Sequence, residues 1–375
     1  MFKRVKEDKV ILVITLALVA FGLLMVYSAS SVMALRKKGD SFWFLKRQAV
    51  WVAMGLSAMF AAWMTDYRKL KKPALPALGL IALMLVAVLV PGLGAEVNGA
   101  KRWIRLAGLS VQPSEFLKPV LLVTIAASLA KRSDRMSEFW FGVGPYLMMT
   151  GMFASLILME PDLGTAVTLF AVVVSMIFVA GMRLTHLGYM VAAALPVIYY
   201  ELFHVGFRLK RLLVYLDPWQ DPLGKGFQAI QSFLAFGGGG LTGMGLGESR
   251  QKLMFLPEPH SDFIFSVIGE EFGLVGSMAV AVCYMVFTLC GIRLALRCEE
   301  PFGRVLAFGL TVMIGLQSII NMGVATGLFP NKGMPLPFVS AGGSSVLVAL
   351  ASVGILLSIA RNGKGEDDAR SMQAR

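Results

Sequence analysis

Long apolar segments recur along the whole chain, and polar stretches separate them. A helix of about 20 apolar residues crosses the hydrocarbon core of a bilayer, so each segment of that length predicts a membrane-spanning helix. The sequence holds ten such segments, at roughly 10–28, 49–64, 74–90, 114–130, 141–158, 164–181, 186–203, 263–296, 303–325 and 343–361. The pattern therefore predicts an all-α integral membrane protein with about ten transmembrane helices, which form one membrane domain over residues 1–361.

The eighth segment and the loop before it differ from the rest of the pattern. This segment is long enough for a short helix, a break near Gly273 and then a full span. The longest polar loop, from about 204 to 261, lies between the seventh and eighth helices and is rich in glycine from 237 to 247. After the tenth segment, the polar residues 362–375 predict a disordered tail.

The composition supports a membrane environment. Hydrophobic residues make up 57% of the 375 residues and charged residues only 15%, which is too apolar for a domain surrounded by water. The net charge of +12 suits contact with anionic membrane lipids. Because the basic residues are scattered and no separate polar domain holds them, we expect no nucleic-acid partner.

The distribution of basic residues predicts the orientation in the membrane. An even number of spans places both termini on one side. Lys and Arg are concentrated in short connections on that side, such as 66–73 and 130–135, which indicates that both termini and the tail are cytoplasmic. The elaborate loops then all lie on the extracytoplasmic face. We therefore expect a functional site at the outer surface of the membrane rather than at its midplane.

Asp262 is the candidate catalytic residue. It follows His260 and Ser261 and directly precedes the apolar eighth segment. A carboxylate at the boundary between water and lipid is partly desolvated, which raises its pKa and suits a general base near neutral pH. An aspartate before an apolar helix is also a common N-cap, and the spacing leaves both roles open.

Glu115 and Lys118 form a candidate binding pair. They lie three residues apart at the start of the fourth segment and therefore share one face of the predicted helix. In one interpretation Lys118 binds a phosphate while Glu115 fixes its side chain. In the other, the helix dipole favours Glu115 and Lys118 extends to the membrane surface.

Two basic clusters in outward loops are further candidates for binding phosphate. Arginine binds phosphate oxygens in a bidentate manner, which suggests roles for Arg102, Arg208 and Arg211. Anchoring to lipid headgroups beside Trp103, or plain solvation of the loop, would explain the same residues. The clusters consist of Lys101, Arg102, Arg105, Arg208, Lys210 and Arg211.

Seven stretches, in order over nearly the whole chain, resemble the FtsW/RodA/SpoVE family, also called SEDS proteins. The phrases GLGESRQKLMFLPEPH and FQAIQS are more similar to the cell-division members, FtsW, than to the elongation members, RodA. The stretches are FLKRQAVW (44–51), VNGAKRWI (97–104), QPSEFLKP (112–119), EPDLGT (160–165), DPWQDPLGKGFQAIQS (217–232), LGESRQKLMFLPEPHSDFIFSVIGEE (246–271) and GLFPNKGMPLPFVSAGGSS (327–345).

The resemblance implies a peptidoglycan glycosyltransferase that polymerises lipid II at the outer face of the bacterial cytoplasmic membrane, for septal wall synthesis in cell division. It implies that Asp262 is the essential acid of the family's H-[ST]-D-F motif. The candidate substrate-binding residues are Glu115, Lys118, Arg102, Arg208, Arg211, Lys332 and Ser344. Where the family has glutamine, threonine and an aromatic residue, this chain has Glu160, Ser261 and Ala341.

The resemblance also implies partners and a cofactor. The chain has no transpeptidase nucleophile motif in a soluble domain, so a class B penicillin-binding transpeptidase is the expected partner, together with other membrane proteins of the divisome. A divalent cation, Mg²⁺ or Mn²⁺, is the candidate cofactor. The alternative function is a lipid II flippase, because polar residues near the span ends could line a path for a headgroup. A scaffold without activity would not need Asp262.

Overall fold

A computed structural model of the protein describes residues 7–92, 94–97, 100–106, 109–132, 136–203, 214–224, 226–253, 256 and 258–373. The described part is mainly α-helical, and a small sheet is inserted before the fourth helix. The main helices are α1 (Glu7–Lys38), α2 (Trp43–Met64), α3 (Ala74–Leu89), α4 (Pro113–Leu129), α5 (Gly144–Met159), α6 (Leu163–Val179), α7 (Leu184–Phe203), α8 (Phe227–Gly239), α9 (Ile264–Arg297), α10 (Pro301–Ala325) and α11 (Ser344–Gln373).

The helical pattern agrees with the apolar segments. Every predicted segment coincides with one of these helices, and α8 is an additional helix inside the long loop. By length and composition, five helices of the described chain can cross a membrane: α1, α5 with the turn before it, α9, α10 and the first part of α11. Helices α3 and α6 are apolar but shorter. The all-α membrane fold is confirmed, and the count of ten spans stays a prediction.

Close packing of helices forms the core. Helix α2 packs along α11, and α9 packs along α10 and α1. The approach of α2 to α11 depends on Gly354, because a Cβ there would lie 2.3 Å from the carbonyl oxygen of Met59. Small residues of this kind let membrane helices approach closely and gain van der Waals contacts. These contacts stabilise the packing of helices in lipid, where no hydrophobic effect drives helices together.

The basic stretch around Trp103, which the sequence suggests as a phosphate site, a headgroup anchor or a solvated loop, folds as strands. Strands β1 (Ala95–Val97), β2 (Ala100–Leu106) and β3 (Leu109–Val111) form an antiparallel sheet in the order β1-β2-β3. The sheet ends two residues before α4, so it fixes the approach to the Glu115 and Lys118 helix.

Helix α11 continues to Gln373. The disordered tail that the composition of 362–375 predicts stays a prediction. Extending an existing helix needs no new nucleus, and Ala, Arg, Glu, Met and Gln are good helix formers. The packed first part of α11 therefore serves as the template for the polar turns that follow.

The predicted break in the eighth segment is confirmed. Gly273 interrupts α9 with φ 66° and ψ −161°, and so divides it into a short first half and a long second half. The glycine-rich loop supplies hydrogen bonds to the backbone on both sides of the break. Met244 N and Gly245 N donate to the carbonyl oxygens of Glu270 and Glu271, at 3.0 Å each.

The same loop also accepts hydrogen bonds from the second half of α9. Leu274 N donates to Gly240 O at 2.9 Å, and Val275 N donates to Leu241 O at 3.1 Å. A backbone group without a partner costs several kcal/mol in hydrocarbon, so a broken helix is stable there only if another segment satisfies it. The glycine-rich loop is therefore a structural part of the broken helix.

Substitution of Gly273 by alanine should destabilise the fold. A Cβ at this position would lie 2.4 Å from Gly243 N and 2.5 Å from Leu241 O, and the positive φ adds about 1–3 kcal/mol of strain. We expect Gly273→Ala to lower the midpoint of thermal unfolding of the detergent-purified protein by several degrees. Gly151→Ala is the matched control, since a Cβ there meets nothing within 4 Å. Equal midpoints for the two variants would contradict this account of the break.

Candidate active site

Asp262 faces a cavity and does not cap a helix. Helix α9 begins at Ile264 with Phe263 as its N-cap, and no described side chain caps it, so the N-cap alternative is not observed. The carboxylate of Asp262 instead lines a cavity of about 330 Å³. Side chains from the sheet, α4, α6, α10 and the loop before α11 form the rest of its wall.

The backbone of Asp262 is held by α10. Asn321 Nδ2 donates to the carbonyl oxygen of Asp262 at 2.9 Å and to that of Met334 at 2.6 Å. Gly333 of the same loop passes directly over the carboxylate, and a Cβ on Gly333 would lie 2.7 Å from Asp262 Oδ2. The last outward loop therefore fits closely around the carboxylate.

The two residues before Asp262 are fixed in the same way. Ala341 N donates to the carbonyl oxygen of His260 at 2.9 Å, and Ser340 Oγ donates to that of Ser261 at 2.6 Å. Gln48 Nε2 of α2 donates in turn to Ser340 O at 3.1 Å. Segment 260–262 is thus bonded to the loop before α11, which is itself bonded to α2.

The surroundings set the protonation states of this segment. Burial, assisted by the nearby negative charge of Glu258, raises the pKa of Asp262 to about 6, and a hydrogen bond from Ser261 opposes the rise. Burial lowers the pKa of His260 to about 4, so its imidazole is neutral at pH 7. Its ring lies against Phe44 with centroids 4.3 Å apart. At neutral pH the cavity therefore contains an ionised carboxylate close to its titration point and a neutral histidine.

Glu115 and Lys118 form a buried ion pair in the same cavity. Lys118 Nζ lies 2.8 Å from the carboxylate of Glu115 and 3.4 Å from Gln317 Oε1, and both charged residues are only 4% exposed. Lys118 therefore does not extend to the membrane surface. Gln317 Nε2 donates to Pro335 O at 3.1 Å, which ties the pair to the last outward loop.

Arg102 contributes to the wall of the cavity through the connection between α5 and α6. Its Nε donates to Glu160 O at 2.7 Å and its Nη2 to Pro161 O at 2.6 Å, while its Nη1 lies 3.8 Å from Asp162 Oδ2. Burial, together with the charge of Asp162, raises the pKa of Glu160 to about 8, so this carboxyl is mainly protonated at pH 7. Arg102 is a structural clamp as well as a candidate ligand of substrate.

The remaining candidates lie in different places. Lys332 is partly buried, and burial lowers its pKa while the nearby charge of Asp162 opposes this. Ser344 is buried at the start of α11 and accepts a hydrogen bond from Gln112 N at 3.4 Å, so it holds helix ends together. Arg208 and Arg211 lie outside the described residues.

The structure adds residues that the sequence did not identify as part of the site. Asp162 lines the cavity and caps α6, where it accepts hydrogen bonds from Thr165 N at 3.0 Å and Thr165 Oγ1 at 2.9 Å. Gln317 lines the cavity, and Asn321, one helical turn later, holds Asp262. Polar residues four apart in an apolar helix share one face, and this signal was available in the sequence.

The described residues contain no cluster of three or more His, Cys, Asp or Glu side chains that could hold a metal ion. A divalent cation, Mg²⁺ or Mn²⁺, stays a prediction.

Comparison with known proteins gives consistent matches over almost the full chain. The family model for FtsW, RodA and SpoVE, described as cell cycle protein, matches residues 8–365. A probable peptidoglycan glycosyltransferase FtsW from Geobacter metallireducens is 47% identical over 360 residues, which is 96% of each chain. Stage V sporulation protein E from Bacillus subtilis is 41% identical over 359 residues, covering 96% of this chain and 98% of that protein.

Two solved structures share the fold. One chain, from work on the structural coordination of polymerization and crosslinking by a peptidoglycan synthase complex, has a TM-score of 0.79 and 32% identity. It covers 94% of this chain and 97% of that one. The rod shape determining protein RodA of Thermus thermophilus has a TM-score of 0.69 and 30% identity, covering 94% and 96%.

The Glu115 and Lys118 pair should be strongly coupled in stability. Removing one partner of a buried ion pair leaves an uncompensated charge and costs about 3–5 kcal/mol. We expect Glu115→Gln and Lys118→Met each to lower the thermal unfolding midpoint clearly, and the double variant to lose much less than the sum. The exposed pair of Lys46 and Asp40 is the control, and Lys46→Met should have almost no effect. Additive losses at Glu115 and Lys118 would contradict the coupling.

Proposed function

Because this chain belongs to the FtsW/RodA/SpoVE family of cell cycle proteins, we propose that it joins lipid II units into glycan strands with Asp262 as the general base. The chain is a peptidoglycan glycosyltransferase and an integral protein of the bacterial inner membrane, since full-length relatives at up to 48% identity carry that activity in their names. The observation that carries the proposed mechanism is the cavity in which Asp262 meets the Glu115 and Lys118 pair.

The reaction is a displacement at an anomeric carbon. Asp262 takes the proton of a sugar 4-hydroxyl as that oxygen attacks the anomeric carbon of the growing, lipid-linked strand. A new glycosidic bond forms there, and the bond from the same carbon to the pyrophosphate oxygen breaks, so the electron pair leaves with undecaprenyl pyrophosphate. Direct displacement inverts an α-linkage to a β-linkage. A base with a pKa of about 6 is ionised at pH 7 and still accepts a proton well.

The basic residues of the cavity stabilise the leaving group. An ammonium has three donors, and Glu115 and Gln317 use two of those on Lys118. The third can bind the departing pyrophosphate, where charge develops in a site largely closed to water. Arg102 is held rigidly by two backbone carbonyl groups, so its remaining donors are already in place. A divalent cation bound to the pyrophosphate would add positive charge, and no step depends on it.

The proposed setting is septal wall synthesis. A chain with the same fold occurs in a complex that coordinates polymerization and crosslinking, which supports a class B penicillin-binding transpeptidase as partner. Other membrane proteins of the divisome, location at the septum and cytoplasmic termini belong to the same proposal. Fluorescent fusions at division sites, and labelling of cysteines introduced at Gln220 and Ser371 from each side of the membrane, test these points.

Asp262→Asn should strongly slow polymerisation by the purified protein. Asparagine keeps the shape of the side chain but cannot accept the proton, and loss of a general base costs about 10²–10⁴-fold in rate. The assay measures glycan polymer from lipid II in detergent, with and without the transpeptidase partner. A flippase produces no polymer under these conditions. A rate for Asp262→Asn close to that of the unmodified protein would refute the mechanism.

The rate should also depend on pH through Asp262. The base acts in its ionised form, so kcat/KM should fall about tenfold per pH unit below about pH 6 and level off above it. The residual rate of Asp262→Asn should lack this acidic limb. If the pH profile of the variant shows an acidic limb with the same midpoint, the titrating group is a residue other than Asp262.

A further inference from the structure

A second and larger cavity, of about 580 Å³, lies between α1 and the loop 244–253. It is next to the C-terminal end of the first half of α9, whereas Asp262 lies at the other end of that half-helix. None of its lining residues belongs to the site described above. They are Leu24, Tyr27, Ser28, Ser31, Val32, Met244, Leu246, Gly247, Glu248, Ser249, Arg250, Lys252 and Leu253.

A buried ionic cluster forms the floor of this cavity. Lys252 Nζ lies 2.9 Å from Glu271 Oε1 and donates to Gly247 O at 2.6 Å, and Ser28 Oγ donates to the same carboxylate at 2.7 Å. The Lys252 side chain is 6% exposed and that of Glu271 is fully buried. Burying charges of this kind is expensive unless each is paired, and here Lys252 and Glu271 pair with each other.

The loop that forms the mouth of the cavity is held in a fixed conformation. The carboxylate of Glu270 accepts hydrogen bonds from Ser249 Oγ at 2.5 Å, Arg250 N at 2.9 Å and Gln251 N at 3.3 Å. The Arg250 side chain is exposed at the mouth and forms no ion pair within the described chain. Glu248 is the acid at the mouth, and Arg250 is the cation left to bind an anion there.

Apolar side chains line both walls of the cavity. Leu24 of α1 and Leu246 and Leu253 of the loop are each close to half exposed. Ser28 and Val32 lie in the last third of α1, toward the end that the predicted orientation places outside the cytoplasm. A polar floor, a cationic mouth and apolar walls together suit an anionic amphiphile whose chain lies in lipid.

Glycan polymerisation needs two such amphiphiles at once. The donor's reacting carbon is bonded to its own pyrophosphate, so that pyrophosphate must lie in the first cavity with Asp262 and Lys118. The acceptor's 4-hydroxyl is at the far end of its disaccharide, so the acceptor's pyrophosphate must lie about one disaccharide away. A cavity of about 330 Å³ is at the lower limit for a small-molecule site and cannot hold two headgroups.

We propose that the second cavity binds the pyrophosphate and the first isoprenoid units of the acceptor lipid II, with Arg250 as the principal ligand of the phosphate. The inference rests on the proposed function and assigns the acceptor site within it. The rise of a helix over the residues from 262 to 271 is roughly 13 Å, a separation that the acceptor disaccharide can bridge. In the coupling step the acceptor's 4-oxygen bonds to the donor's anomeric carbon, its proton goes to Asp262, and the donor alone loses pyrophosphate.

Two lipid II analogues separate the acceptor and donor roles. A C-glycoside phosphonate analogue keeps the 4-hydroxyl but cannot release pyrophosphate, so it serves only as acceptor. A 4-deoxy analogue serves only as donor. One coupling between them gives a tetrasaccharide, whose initial rate is measured while each analogue is varied in turn.

The variants Arg250→Gln and Leu246→Trp test the site. Loss of one charge-assisted hydrogen bond should raise KM for the acceptor-only analogue about tenfold and leave KM for the donor-only analogue within about twofold. Leu246→Trp should have the same selective effect by filling the cavity. Arg36→Gln, which removes an exposed cation from the same end of α1, and Leu223→Trp, at a leucine that is 90% exposed, are the controls.

The outcomes separate this inference from the proposed function. An unchanged acceptor KM in both test variants, or an equal rise in both KM values, would overturn the acceptor site while the unmodified enzyme still couples. No coupling by the unmodified protein would overturn the proposed function itself. Equal thermal midpoints of Arg250→Gln and Arg36→Gln show that a selective KM change does not come from misfolding.

Discussion

The hydrogen bonds around the break in α9 are the constraint on which the rest of the structure depends. A helix interrupted among apolar neighbours exposes carbonyl and N–H groups that lipid cannot satisfy. The glycine-rich loop satisfies them from both sides, through Met244 and Gly245 on one side and Gly240 and Leu241 on the other. The first half of α9 is thereby stabilised as a separate short helix. Asp262 lies two residues before it begins, and Glu270 and Glu271 lie at its end.

The local features of the fold could be read from the sequence. Apolar length is a property of each segment alone, so all ten segments coincide with helices. Gly273 interrupts an apolar run, and a residue with positive φ is what a break there requires. The small sheet was missed, because its three short strands are stabilised by pairing with one another rather than by a long pattern of their own.

The sequence predicts those parts of the site that depend on residues close together in the chain. Asp262, Glu115 and Lys118 meet in one cavity, as their motifs suggested. Spacing alone leaves open whether Asp262 caps a helix or acts as a base. It also leaves open whether the Lys118 side chain pairs with Glu115 or extends to the membrane surface. Both questions depend on contacts with residues that are distant in sequence. Gln317 supplies one such contact. Ser344 accepts a hydrogen bond from Gln112 N at the start of α11, and its role in binding substrate stays a prediction.

Segment 260–262 is held by hydrogen bonds through its backbone and not through its side chains. Ala341, Ser340 and Asn321 all donate to main-chain carbonyl groups of this segment. Because no side chain of the segment is used for these three bonds, the position of the backbone is independent of which residues occupy it. Serine can stand at 261 where threonine is usual in the family without loosening the attachment. The side chains of this segment can therefore vary in sequence while the backbone contacts that hold it stay the same.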